Sequence, residues 1–252
     1  MIGLNSINHG DCLDLMGEVE DHSIDMILCD LPYGTLPKKW DIPISLNELW
    51  KHYNRIIRPN GAIVLTAREP FTSQLVCSNP KNYKHKWVWN KKQAGNFMNA
   101  KYGPLQIEED ILVFSSGGKV RYFPQMWEGK MRKRGGAKET SRSAGDGFIV
   151  GFENFSNLYN PTNILEIANP RTNKLHPTQK PVALFEYLIK TYSKEGEVVL
   201  DTCAGSGTTG VSCISTNRRF ILMEKEREFI DVMRERFHNI HGISIRSNYG
   251  LA

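Results

Sequence analysis

The sequence has few cysteines and no long apolar run, and both shortages limit what kind of protein it can be. Its 252 residues include five cysteines, an odd number, and no two of them form a C-x-x-C pair. This scarcity argues against a disulfide framework and against a zinc site. No stretch of 18 apolar residues occurs, and the N-terminus lacks the basic and apolar regions of a signal peptide. We therefore expect a cytoplasmic protein without membrane segment or metal.

The excess of positive charge is concentrated in one part of the chain. The formal net charge is +5, from 32 Lys and Arg against 27 Asp and Glu. Segment 115–174 contains ten basic and five acidic residues, so it accounts for the whole excess. Clustered basic residues suit a polyanionic partner such as nucleic acid, although a solvated basic loop would give the same count.

Apolar runs of strand length alternate with helical segments on both sides of that basic segment. Seven strands are predicted, near residues 7, 27, 64, 87, 112, 198 and 220. Segments 45–57, 69–78, 181–192 and 227–239 are predicted helices, with Pro59-Asn60-Gly61 as a helix stop. The alternation is typical of an α/β fold with a mostly parallel sheet. We expect this fold to be formed by 1–114 and 175–252, with the glycine-rich segment 115–174 inserted between them.

A glycine-rich turn near the C-terminus is the clearest local motif. Residues 205–210, GSGTTG, satisfy G-x-G-x-x-G between a predicted strand and a predicted helix. Glu224 follows Gly205 by 19 positions, where a carboxylate can bind the hydroxyls of a ribose. The pattern favours an adenosine-containing cofactor over a plain tight turn. Only 42 residues follow Gly210, too few for a second dinucleotide-binding half, which favours S-adenosylmethionine over NAD.

A second motif ends the apolar run at 24–29. The run stops at Asp30-Leu31-Pro32-Tyr33, which Gly34 follows. Asp, Pro and Gly all favour turns, so the tetrapeptide alone indicates a turn as readily as a site. Ligands bind at the carboxyl ends of parallel strands, and both this motif and the glycine turn lie at such ends. We therefore expect the two motifs to meet in one site.

Together these motifs and their order resemble the β-class amino DNA methyltransferases, the D-P-P-Y type of the N4/N6 family. In that family the catalytic motif precedes the target-recognition region, and the cofactor motif comes last. Here DLPY at 30–33, segment 115–174, HPTQKP at 176–181 and the glycine turn follow in that order. The resemblance implies a Rossmann-like, seven-stranded, mostly parallel sheet with permuted motif order. Leu31 replaces the family's first Pro, and Cys203 replaces the Phe usual in its cofactor motif.

The resemblance implies methyl transfer from S-adenosylmethionine to the exocyclic N6 of adenine in double-stranded DNA, after the base flips out of the duplex. Asp30 and the carbonyl of Leu31 would accept the two N–H groups of the amine, which favours a tetrahedral nitrogen. Pro32 would stiffen the turn, and Tyr33 would stack on the base. Cytosine N4 remains an alternative target, and a dinucleotide-dependent oxidoreductase is the alternative from another class.

The resemblance also assigns cofactor residues position by position. Asp11 corresponds to the acidic residue at the cofactor's adenine end, Lys180 is a candidate partner of its carboxylate, and Glu224 is the candidate ribose ligand. The full set of predicted cofactor residues is Asp11, Cys12, Cys29, Asp30, His176, Thr178, Gln179, Lys180, Asp201, Cys203, Ala204, Gly205, Ser206, Gly207, Thr208 and Glu224.

Segment 115–174 corresponds to the family's target-recognition region. Its basic run predicts phosphate contacts that are largely blind to base sequence, through Lys130, Arg132, Lys133 and Arg134. The resemblance further implies a bacterial or phage-encoded enzyme of restriction–modification. A homodimer is an open alternative to a monomer.

Overall fold

Two units make up the described part of the chain. The computed structural model describes residues 2–134, 154–169, 175, 178–241 and 246–248. The larger unit comprises Met1–Phe123 and Asn163–Ala252, and the smaller one is Pro124–Thr162. The smaller unit lies within the predicted insertion 115–174 and is shorter at both ends. Within the described residues, no helix is long and apolar enough to cross a membrane.

One large sheet organises the larger unit, and a separate hairpin forms the smaller one. In chain order, the strands of the described residues are β1 (Ser6–His9), β2 (Ile24–Cys29), β3 (Ile57–Ala67), β4 (Tyr83–Asn90), β5 (Glu108–Phe114), β6 (Trp127–Arg134), β7 (Asn154–Tyr159), β8 (Ile164–Glu166), β9 (Val198–Asp201), β10 (Arg219–Glu224) and β11 (Arg246–Asn248). The large sheet has the order β11-β1-β10-β9-β2-β3-β5-β4-β8. All seven predicted strands are present in it, and β8 and β11 extend its edges. Among the described strands of this large sheet, only β5 runs antiparallel to its neighbours. This arrangement confirms the mostly parallel α/β fold.

Helices cover both faces of the sheet. The described helices are α1 (Cys12–Met16), α2 (Leu46–Ile56), α3 (Phe71–Ser78), α4 (Val182–Tyr192), α5 (Thr208–Ser215) and α6 (Arg227–His241). Side chains of α1, α2 and α3 pack on one face, and those of α4, α5 and α6 pack on the other. Successive residues of a strand point to opposite faces of the sheet. Because helices cover both faces, every residue of β2 is buried. A strand buried on both faces has the continuous apolar sequence seen at 24–29.

Two predicted boundaries are wrong for identifiable reasons. Pro59-Asn60-Gly61 does not stop a helix, because these residues belong to β3. The pairing of β2 with β3 shifts in register there, and this irregularity accommodates the three residues. The helix predicted at 69–78 begins at Phe71, because Pro70 is its N-cap residue.

The smaller unit is an antiparallel hairpin of β6 and β7. The rings of Trp127 and Tyr159 stack with their centroids 4.5 Å apart. The guanidinium of Arg132 lies 3.8 Å from the centroid of the Tyr159 ring. Lys130 and Arg132 are exposed, so the hairpin presents basic side chains beside an aromatic pair.

Candidate active site

The carboxyl ends of neighbouring parallel strands bring the two motifs into one cleft. Strands β1, β10, β9 and β2 lie side by side and parallel. The residues that follow them line a cleft of about 770 Å³. This is where open α/β sheets bind ligands. The predicted site residues that line the cleft are Asp11, Cys12, Asp30, Leu31, Pro32, Tyr33, Thr178, Gln179, Lys180, Asp201, Cys203, Ala204, Gly205, Ser206, Thr208 and Glu224.

Two of the predicted cofactor residues lie behind the wall of the cleft. The Sγ atom of Cys29 is buried 3.2 Å from the hydroxyl oxygen of Thr202, and burial raises the pKa of this thiol. Gly207 has a φ of +75°, and a Cβ at this position would approach Cγ of Met233 at 2.8 Å. Glycine is therefore required there by the turn and by the packing of α6. His176 lies outside the described residues.

Glu224 connects the glycine turn to the start of α6. Its Oε2 accepts a hydrogen bond from the backbone N–H of Gly205 at 2.8 Å, and its Oε1 accepts one from that of Glu226 at 2.8 Å. Burial raises the pKa of this carboxyl. The carboxylate thus holds the backbone of the glycine turn and of the residues before α6, while its remaining lone pairs are available to a ligand.

Two further side chains, those of Asp201 and Arg236, stabilise the glycine turn through hydrogen bonds. Oδ1 of Asp201 accepts the N–H of Cys203 at 3.0 Å, and its Oδ2 accepts the hydroxyl of Thr209. Burial raises the pKa of Asp201 to about 7. On the other side, Nη1 of Arg236 donates to the carbonyl of Ser206 at 2.8 Å. Arg236 was not predicted from the sequence, because it lies on a helix 30 positions after Ser206.

Asp11 lines the cleft and caps α1. It accepts the N–H of Leu13 at 3.0 Å and the ammonium of Lys225 at 3.0 Å. Burial opposes ionisation of this carboxyl, but the hydrogen bonds and the charge of Lys225 lower its pKa. Asp11 is therefore an ionised acceptor at the mouth of the cleft.

Asp30 is held by three side chains from three different elements. Its Oδ1 accepts the hydroxyl of Tyr33 at 2.9 Å and that of Thr66, which lies near the end of β3. Its Oδ2 accepts the ammonium of Lys180 at 2.7 Å. The ring of Tyr33 stacks on Phe71 with centroids 5.3 Å apart. These contacts fix the carboxylate at the end of β2, facing the cleft.

Lys180 is a buried cation between two carboxylates. Its side chain is 6% exposed, and its Nζ lies 2.7 Å from Asp30 and 3.2 Å from Oε2 of Glu109. Oε1 of Glu109 is in turn 3.1 Å from Nζ of Lys91. Burial alone would lower the pKa of Lys180, but the charges of Asp30 and Glu109 raise it well above its usual value. Conversely, Lys180 and Lys91 lower the pKa of Glu109 against the effect of burial.

The loop after the catalytic motif is organised by one carboxylate, that of Asp41. Its side chain is buried, and Oδ1 accepts the backbone N–H groups of Tyr33 at 2.8 Å and Gly34 at 3.1 Å. Its Oδ2 accepts those of Thr35 at 2.7 Å and Leu36 at 2.6 Å. Four consecutive N–H groups therefore converge on Asp41, which holds the loop that begins at the catalytic motif.

Four residues of this site were not predicted from the sequence, namely Asp41, Thr66, Glu109 and Arg236. Thr66 lies near the end of β3 and Glu109 near the start of β5, each next to an apolar run, and this pattern is the signal that could have identified them. It becomes specific only when the order β2-β3-β5 is known. Among the described residues, no group of three or more His, Cys, Asp or Glu side chains is arranged to hold a metal ion.

The fold and the site define a Rossmann-like α/β enzyme in which a cofactor cleft adjoins a strand-end carboxylate. The family model described as DNA methylase, of the N6/N4 methyltransferase type, matches residues 24–235 of this chain. The chain belongs to this DNA methylase family. The predicted family is therefore confirmed.

One curated relative and two solved structures illustrate the similarity. The DNA adenine methyltransferase YhdJ of Escherichia coli (strain K12) is 29% identical over 253 residues, which cover 89% of this chain and 80% of that protein. The structure of the M1.HpyAVI–SAM complex is 23% identical, with a TM-score of 0.62 over 92% of this chain and 98% of the other. The cytosine-N4-specific PvuII DNA methyltransferase is 16% identical, with a TM-score of 0.70 over 97% and 92%. Both structural likenesses support the Rossmann-like methyltransferase fold.

Proposed function

We propose that this DNA methyltransferase transfers the methyl group of S-adenosylmethionine to N6 of adenine in double-stranded DNA. The observation that carries the proposal is the position of Asp30. This carboxylate faces the same cleft as the glycine turn and is fixed by Tyr33, Thr66 and Lys180. It can therefore receive an amino group next to a cofactor held by the turn.

The residues of the cleft fit S-adenosylmethionine. A volume of about 770 Å³ is within the range of small-molecule sites. Glu224 offers carboxylate oxygens for ribose hydroxyls, and Ala204 and Gly205 let the backbone approach a ligand closely. When bound there, the cofactor supplies a methyl group activated by its sulfonium. The proposed cofactor residues are those predicted from the sequence, with Cys29 and Gly207 acting from behind the wall.

Asp30 would act as a hydrogen-bond acceptor and as a counter-charge. The exocyclic nitrogen of adenine is a weak nucleophile because its lone pair is delocalised into the ring. Asp30 would accept one N–H of the amine, and the carbonyl of Leu31 would accept the other. These two hydrogen bonds favour a tetrahedral nitrogen and stabilise the positive charge that develops on it. Oδ2 of Asp30 keeps an acceptor site beside its bond to Lys180.

The cysteines of the site have no nucleophilic role in this proposal. Hydrogen bonds with Cys12 and Cys29, together with burial, raise the pKa of Cys203. Burial likewise raises the pKa of Cys29. Neutral thiols are poor nucleophiles, which supports direct transfer without a covalent enzyme intermediate.

We favour adenine over cytosine as the target for two reasons. The catalytic motif begins with Asp30, as it does in the adenine-N6 enzymes that the chain resembles, and the name of the relative YhdJ specifies adenine. The fold alone does not discriminate, since the PvuII enzyme is named as cytosine-N4-specific. Both bases present a planar amino group to the same acceptors. Cytosine N4 therefore remains the second candidate, and the product of the reaction decides between them.

Duplex DNA is the proposed partner of segment 115–174. We propose this segment as the target-recognition region, with phosphate contacts from Lys130, Arg132, Lys133 and Arg134. The exposed side chains of Lys130 and Arg132 on the hairpin support the assignment. A homodimer, a place in restriction–modification and a bacterial cytoplasmic location stay predictions.

Replacing Asp30 tests the proposed function. In Asp30→Ala, methyl transfer to unmethylated genomic DNA should fall by about 10²–10³-fold, the cost of removing a transition-state acceptor. Calorimetric affinity for S-adenosylmethionine should fall much less than the rate, because the glycine turn and Glu224 are intact. Glu48→Gln, on the exposed face of α2, is the control. Mass spectrometry of the digested product should find N6-methyladenine, and full activity of Asp30→Ala would refute the role of this carboxylate.

A further inference from the structure

The loop between β4 and β5 exposes three large apolar side chains, which we call the 97–102 tip. Phe97 is 69% exposed, Met98 94% and Tyr102 89%. Within the described residues, these are the most exposed of the large hydrophobic side chains. Contiguous exposed apolar side chains on a protein surface mark interaction sites, and the cleft described above does not include them.

The tip is held in a defined conformation by its own loop. The amide of Asn96 bridges the two arms, because Nδ2 donates to the carbonyl of Pro104 at 3.2 Å and Oδ1 accepts the N–H of Gln106 at 2.8 Å. The N–H of Tyr102 donates to the carbonyl of Asn99 at 2.9 Å and closes the turn. The apolar side chains are therefore presented on a built support.

The charge of the loop favours a polyanion as its partner. Residues 91–107 include Lys91, Lys92 and Lys101 and contain no Asp or Glu. A nucleic acid complements this charge, whereas a second copy of the same surface would bring like charges together.

The loop starts and ends at the proposed catalytic site. The N–H of Lys91 donates to the carbonyl of Ile107 at 2.7 Å and closes its base. From there a series of ion pairs leads to the catalytic carboxylate: Lys91 to Glu109 at 3.1 Å, Glu109 to Lys180 at 3.2 Å, and Lys180 to Asp30 at 2.7 Å. Any duplex whose base reaches Asp30 therefore lies close to this loop.

We propose that the 97–102 tip inserts into the DNA duplex and fills the space that the target base leaves. This inference rests on the proposed function. Extrusion of a base breaks its stacking and pairing, and apolar side chains inserted between base steps replace the lost stacking. Phe97 and Tyr102 provide rings for this purpose, and Met98 provides a flexible apolar side chain between them.

The test compares a triple variant, Phe97→Ala with Met98→Ala and Tyr102→Ala, on two substrates. Both are unmethylated duplexes that contain the target site, which sequencing of genomic DNA methylated by the enzyme identifies. One is fully paired, and the other carries a mismatch at the target adenine, which is already unstacked. Single-turnover methylation of the paired duplex should fall about tenfold or more, as expected when base stacking is removed. The mismatched duplex should lose much less. Leu4→Ala, an exposed apolar residue before β1, is the matched control.

Each outcome bears on a separate claim. If the wild-type protein methylates no DNA, the proposed function fails, whatever the tip does. If the wild type is active and the triple variant equals it on the paired duplex, insertion is wrong. Equal losses on both substrates would indicate general DNA binding, and a change from dimer to monomer in sedimentation would indicate a protein interface; either result overturns insertion.

Discussion

At the scale of single residues, the ion pair of Asp30 and Lys180 decides the charge of the site. Lys180 was predicted as a partner of the cofactor's carboxylate, and this remains a prediction. The structure also gives its ammonium two protein partners, Asp30 and Glu109. Removing one member of a buried ion pair leaves the others uncompensated. Lys180 therefore balances the charge of two close carboxylates.

Replacing Lys180 by Met should make methyl transfer strongly dependent on pH. Lys180 is the strongest of the charges that lower the pKa of Glu109, so without it Glu109 should take up a proton at a higher pH than in the wild type. Ionised Glu109 adds negative charge beside Asp30 that stabilises the positive charge developing on the amine, so the activity of the variant should rise as pH increases, measured by initial rates.

The control for this experiment is Lys91→Met, which removes a cation that contacts Glu109 but has no contact with Asp30 among the described ion pairs. It should show a weaker dependence on pH than the Lys180 variant. A pH profile of Lys180→Met that matches that of the wild type would contradict the charge-balancing role.

At the scale of elements, the site depends on two loops, each of which is supported by a charged side chain. Asp41 gathers four backbone N–H groups of the loop that follows β2. Arg236 of α6 holds the glycine turn through Ser206. Because each loop has its own support, catalysis and cofactor binding can be separated by mutation.

Asp41→Asn should lower kcat while the affinity for S-adenosylmethionine stays close to that of the wild type. The amide keeps one acceptor oxygen and places an NH2 group against backbone donors, so the catalytic loop loses its geometry. Misplacement of a catalytic group by 1 Å can cost about 10²-fold in rate. Asp21→Asn, which removes an exposed carboxylate paired with Arg55, is the control. Equal losses in kcat and cofactor affinity would show that Asp41 supports the whole cleft instead.

At the scale of the whole molecule, we propose different functions for the two units, namely methyl transfer for the larger and phosphate contacts for the smaller. The larger unit contains the described cleft, and the smaller hairpin presents Lys130 and Arg132. A double variant with Lys130→Gln and Arg132→Gln should weaken DNA binding and reduce its salt dependence. Each lost phosphate contact lowers the slope of log K against log salt by about 0.9.

Titration of DNA binding at several salt concentrations measures this slope. Affinity for S-adenosylmethionine should stay unchanged in the double variant, because Lys130 and Arg132 do not line the cleft. Lys51→Gln, an exposed lysine on α2, is the matched control. An unchanged slope would show that these two hairpin residues contact no phosphate.

Local sequence was enough to predict the family, the seven strands and the cleft. An apolar strand followed by Asp30-Leu31-Pro32-Tyr33, and another followed by a glycine turn, are patterns within single stretches of chain. The parallel arrangement then brings their carboxyl ends to one edge. The short edge strands β8 and β11 were not predicted, because three residues form a strand only when a neighbour such as β4 or β1 pairs with them.

The sequence by itself therefore determined the motifs that we propose for methyl transfer, and the tertiary structure decided which side chains hold them. Thr66 and Glu109 reach Asp30 and Lys180 only because β3 lies between β2 and β5. That order is set by pairing between segments far apart in the chain, as local patterns do not specify neighbours. The four N–H groups that Asp41 accepts likewise converge only after the loop has folded, since a carboxylate must be buried among donors to replace water.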